Sequence, residues 1–92
     1  MGIFGAKFRD LTDSERQQMQ TNRGVYVLSI VDGSPAYESD ILFGDVVVGV
    51  NGQAANGVAG FSELIAANRG HAVEIAVLRG GKPLLKQVSL LQ

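Results

Sequence analysis

Apolar positions along the chain fall into short runs separated by glycine, asparagine and aspartate, a rhythm that predicts strands more than helices. Val25-Tyr26-Val27-Leu28-Ser29-Ile30-Val31 is rich in β-branched and aromatic side chains and reads as a central strand. Asp32-Gly33-Ser34-Pro35 ends it with turn chemistry. Asp45–Val50 reads as the next strand, closed by Asn51-Gly52, the pair that best accepts positive φ in a tight turn. Val73, Ile75 and Val77 alternate with an outward Glu74, and Val73–Arg79 is expected to pair with Leu84–Leu91 through a Gly80-Gly81 hairpin. At the start, Gly2-Ile3-Phe4-Gly5-Ala6-Lys7-Phe8 reads as a loop entering a first strand, with Gly5 at a bulge or close backbone approach.

Helical signals are brief. Thr12-Asp13-Ser14-Glu15 is a capping box that opens a polar helix over about Asp13–Gln20. Ser34 is placed to cap a second short helix that begins with Pro35. Phe61, Leu64, Ile65 and Asn68 recur at i, i+3, i+4 and i+7 in a helix over about Val58–Asn68, and the first three make a buried stripe. Asn56 is positioned to cap this helix and Gly70 to end it. The fold class predicted is α+β and mostly β: a small, partly open antiparallel barrel of five or six strands with two or three short helices, forming one domain over residues 1–92.

Composition narrows the chemistry. The absence of cysteine rules out disulfides, thiolate metal sites and a thiol nucleophile. Eight Lys and Arg against nine Asp and Glu leave no basic field for nucleic acid. The longest uncharged stretch, Val46–Ser62, is broken by Asn51, Gln53, Asn56 and four glycines, so direct membrane insertion is not expected. The only histidine, His71, sits at a predicted turn with no serine elbow in the sequence, and Asp45 reads as a carboxylate that fixes its own loop through backbone N–H groups. No catalytic residue, metal site or cofactor is therefore assigned, and the chain alone is not expected to be an enzyme. What remains is recognition through backbone. The Ile3–Phe8 segment is a candidate exposed strand edge, beside a helix whose Ala59, Ser62 and Ala66 form a small-residue face. From the residues alone, an open edge and an internally paired one stand level.

Gly24-Val25-Tyr26-Val27, Ser34-Pro35-Ala36, Ile41-Leu42-Phe43-Gly44-Asp45-Val46-Val47 and Val50-Asn51-Gly52, at these spacings, resemble a bacterial PDZ domain over essentially the whole chain. The pattern is most similar to the PDZ domains of Do-type (high-temperature-requirement) serine proteases. That resemblance implies a peptide-binding module that takes protein C-termini or extended apolar segments by β-strand addition. Gly2-Ile3-Phe4-Gly5-Ala6 matches the loop whose N–H groups receive the terminal carboxylate. Ala6 and Phe8 match the edge-strand partners, and Ala59, Glu63 and Ala66 the helix side of the groove. A basic ligand residue opposite Glu63 follows from that register. Departures from the family pattern stand out: Asp40 where the family usually has glycine, Ala6 smaller than the usual aliphatic residue, Glu63 a carboxylate where the groove wall is often apolar, and only Met1 ahead of the loop where the family often has a basic residue. The resemblance also implies a piece excised from a longer chain in the periplasm or cell envelope, with a protease domain of the same parent as a further partner. The alternative it allows is a regulatory or assembly PDZ domain of a larger envelope protease or secretion protein, with its groove filled.

Overall fold

The computed structural model of the chain describes residues 4–19 and 24–90. Gly2, Ile3, Gln20 and Leu91, all named above, lie outside the described residues. The elements run β1 (Ala6–Asp10), α1 (Asp13–Met19), β2 (Val25–Ile30), α2 (Pro35–Glu38), β3 (Val46–Val50), β4 (Gln53–Ala54), α3 (Gly57–Ala67), β5 (Ala72–Arg79) and β6 (Lys82–Ser89). The strands form one antiparallel sheet in the order β1-β2-β3-β5-β6, with β4 folded back on β3. The order does not close on itself, so the barrel is partly open, as the sequence predicts. The two-residue β4 is the strand the pattern did not announce, too short to show any alternation.

The core lies between the sheet and α3. Val25, Val27, Val47, Val50, Val73, Ile75, Val77 and Val88 supply one side, and Phe61 and Ile65 the other. Leu64, predicted with that stripe, is only half-buried and packs at its border. The turns carry the expected chemistry. Asn51 (φ 51°) and Gly52 (φ 81°) join β3 to β4. Gly80 (φ 59°) and Gly81 (φ 81°) join β5 to β6, where two successive left-handed residues match the twist of the strands.

Two polar clusters hold the periphery. The capping box forms as drawn: the Glu15 N–H donates to Thr12 Oγ1 (3.2 Å) and the Thr12 N–H to Glu15 Oε1 (2.9 Å). Glu15 also accepts from Nη1 and Nη2 of Arg9 on β1, at 2.7 and 2.8 Å. Hydrogen bonds from Arg9, and then from the Thr12 backbone, hold its carboxyl down at about 2. The second cluster centres on Asp45, whose side chain is 2% exposed. It accepts from the Leu42 N–H (2.9 Å), as its loop position suggested. It also takes a bidentate pair from Arg79 Nε (2.9 Å) and Nη2 (2.8 Å). Arg79 donates on to the Asp40 carbonyl (2.9 Å), and Asp40 adopts a left-handed φ of 62°, a conformation that aspartate tolerates.

The start of α3 departs from expectation. Asn56 makes no side-chain capping bond; Asp10, at the end of β1, accepts from the Val58 N–H at 2.8 Å instead. Gly57 (φ 76°) turns the chain so that this carboxylate fits: a Cβ there would stand 2.8 Å from Asp10 Oδ1. The cap therefore joins β1 to α3, two elements 48 residues apart at the bond.

Candidate peptide groove

The space between β1 and α3 is a cavity of about 270 Å³. Its lining comprises Phe4, Ala6, Phe8, Phe61, Ser62, Ile65, Ala66 and Arg69. Three aromatic rings make the floor. Phe61 stands edge-on to Phe4 at 5.3 Å and to Phe8 at 4.7 Å, and Phe4 and Phe8 lie 5.7 Å apart. Phe4 and Phe61 are buried, while Phe8 is half-buried against the opening.

One wall is a free strand edge. Among the described residues β1 pairs only with β2. The Val31 N–H donates to the Gly5 carbonyl (2.8 Å) while Ala6 sits opposite Ile30. Ala6 is thus at a non-hydrogen-bonded position of the ladder, and its own N–H and C=O face away from β2. By strand alternation Phe8 faces the same way, while Lys7 and Arg9 turn theirs to β2. A bulge at Leu28 lets β2 follow the twist of this edge, since Lys7 opposes Ser29 and Phe8 opposes Val27.

The Ser34-Pro35-Ala36 motif fixes the loop ahead of β1. Ser34 caps α2 by accepting from the Tyr37 N–H (3.2 Å), and its hydroxyl donates to the Gly5 carbonyl (3.2 Å). The Ala36 N–H donates to the Phe4 carbonyl (3.0 Å). Both loop carbonyls are drawn inward, so in the planar trans peptides the Gly5 and Ala6 N–H groups point the opposite way, into the end of the groove. Gly5 has φ 83°, and a Cβ on it would fall on the Ser34 side chain, so no other residue fits. The arrangement offers consecutive backbone donors at one end, an unpaired strand edge along the side and an aromatic floor.

The helix side differs in register from the sequence expectation. Ala66 lines the groove, but Ala59 and Glu63 are exposed and absent from its lining. Phe61, pinned between Phe4 and Phe8, sets the rotation of α3. Ser62, Ile65, Ala66 and Arg69 then follow on that face, and Glu63 lies about 100° further round than Ser62. Ser62 carried a signal, as part of the small-residue face. Arg69 carried none, because it falls beyond the end of α3, and Asp10 none, because its partner is distant in sequence.

A family profile described as a PDZ domain matches residues 2–90. Serine protease Do-like HtrA of Bacillus subtilis (strain 168) is 31% identical over 94 aligned residues, covering 100% of this chain and 18% of that protein. Periplasmic pH-dependent serine endoprotease DegQ of Escherichia coli (strain K12) is 28% identical, covering 97% of this chain and 20% of its own length. The chain thus spans about a fifth of these curated relatives. Among solved structures, the HtrA3 PDZ domain bound to the phage-derived ligand FGRWV superposes with a TM-score of 0.80 at 26% identity, over 94% of this chain and 81% of that one. The HtrA-type protease AlgW S227A variant with decapeptide gives 0.86 at 23% identity, over 96% of this chain and 28% of that one, a likeness of fold.

Proposed function

The chain belongs to the PDZ domain family, and from that premise we propose that the β1–α3 groove binds the C-terminus of a protein or peptide as an added strand. The observation that carries this reading is the outward pair of Gly5 and Ala6 N–H groups, continued by the free edge at Ala6 and Phe8, over the floor of Phe4, Phe8 and Phe61. Main-chain bonds to the edge supply affinity without regard to sequence, and the aromatic floor selects an apolar last side chain. Affinity is expected on the order of micromolar, since a disordered peptide must be ordered on binding. The groove face offers no imidazole to a ligand hydroxyl. With Glu63 off the groove, the basic ligand residue opposite it is no longer expected.

A PDZ domain is a binding module, and the proteolysis named for the relatives belongs to proteins of which this chain spans about a fifth. By kinship with periplasmic proteases we infer a periplasmic or cell-envelope location, beside a protease domain of the same parent. The test is an N-methyl scan of an apolar-ended peptide read by fluorescence anisotropy. Added-strand binding predicts affinity lost at every second position, because only alternate amides face β1. Losses without that alternation contradict it.

A further inference from the structure

Among the described residues Arg69 is the one charged residue in the lining of the groove. It sits just past α3, and its position along the groove follows from two anchors. Asp10 caps Val58, so α3 starts where β1 ends and runs back along it. Val58 to Arg69 spans roughly 16 Å of helix. Asp10 back to Gly5 spans about the same length of strand. Arg69 therefore stands level with the Gly5 and Ala6 N–H groups. Among the described residues the ion pairs are Arg9–Glu15, Arg16–Asp13 and Arg79–Asp45, and Arg69 joins none of them. Among the described residues no acidic side chain shares the groove lining. The helix brings the negative end of its dipole to this place, which alone would repel an anion. A guanidinium there reverses the sign.

We propose that Arg69 is a specificity-determining residue for a free terminal carboxylate, bringing a positive charge to it from the far end of α3. The inference rests on the groove binding peptides at all, as set out above. Gly5 and Ala6 N–H groups and the guanidinium converge on one carboxylate from two walls, which favours a true C-terminus over an internal segment. The rival role is local: a cation near a helix C-terminus steadies the helix whatever occupies the groove.

The two roles separate in a cycle. The probe is FGRWV labelled at its N-terminus, as free acid and as C-terminal amide, titrated by anisotropy into the wild-type chain, Arg69→Gln and Arg69→Lys. The wild type is expected to prefer the acid by about tenfold or more, and Arg69→Gln to lose about fivefold to tenfold for the acid and little for the amide. Arg69→Lys should keep most of the preference, which should shrink as salt rises from low to high ionic strength. Equal weakening of both peptides, or no change in either, overturns the role of Arg69 and leaves the groove assignment standing. Failure of the wild type to bind either form at millimolar concentration overturns the groove assignment itself, and the inference with it. Arg69 is exposed, so thermal melts of the variants should overlay that of the wild type.

Discussion

Ser34→Ala tests whether α2 and the donor loop are one unit. Ser34 is 9% exposed, and its hydroxyl serves both sides at once: it accepts from the Tyr37 N–H and donates to the Gly5 carbonyl, each at 3.2 Å. Losing a serine N-cap costs about 1 kcal/mol. The second bond adds about 0.5–1 kcal/mol rather than a full desolvation penalty, because the Gly5 carbonyl keeps the Val31 N–H at 2.8 Å. The sum is about 1.5–2 kcal/mol, equivalent to a fall in Tm of about 10 °C for a domain of this size. Urea denaturation gives the free energy, and amide exchange should show the Tyr37 N–H opening faster than those of β5. Peptide affinity should fall as well, because the Gly5 and Ala6 N–H groups lose one of the restraints that aim them. A loss below about 0.5 kcal/mol, with affinity unchanged, would refute the claim that the motif holds the loop.

Asp45→Ala should cost about 2–3 kcal/mol by chemical denaturation. That is less than breaking a fully buried pair, because Arg79 keeps a third of its side chain in water and can be rehydrated. Asp10→Ala removes the acceptor for the Val58 N–H and should cost about 1 kcal/mol while lowering peptide affinity, whereas Asp10→Asn keeps an acceptor and should retain most of both. Glu15 has its folded pKa held at about 2, below the ordinary value of 4.5. Its contribution to stability is therefore complete above about pH 4.5 and disappears as pH falls toward 2. Denaturation at pH 5 and pH 3 should show that loss in the wild type and a smaller one in Glu15→Gln.

Much of this architecture is legible in the sequence because it is local. The capping box, the Asn51-Gly52 and Gly80-Gly81 turns and the alternation of Val73, Ile75 and Val77 each declare themselves within a few residues. The first strand was visible as an apolar opening, but only the Val31 N–H to Gly5 carbonyl bond fixes which amides face outward. The rotation of α3 was not legible. Its apolar residues define a stripe, yet the stripe is shared between core and groove, and the three-ring contact of Phe4, Phe8 and Phe61 decides which neighbours face the ligand side. Glu63 falls outside the cavity lining for that reason, whereas Ala59 shares the face of Ala66 and lies two turns nearer the start of the helix. The pairs Asp10–Val58 and Asp45–Arg79 join residues 48 and 34 apart, beyond the reach of any spacing rule.

The central claim is that peptide recognition runs through the backbone of residues 5–8, along the groove under α3. Titration of the isotopically labelled chain with an unlabelled, apolar-ended, free-acid peptide, followed by amide NMR, tests it most directly. The expected result is large, saturable shifts at Gly5, Ala6 and Phe8, accompanied by Ser62 and Ala66, with β6 unmoved. Still signals at Gly5 and Ala6, with shifts confined to the exposed surface around Tyr37, Leu42 and Phe43, would contradict it.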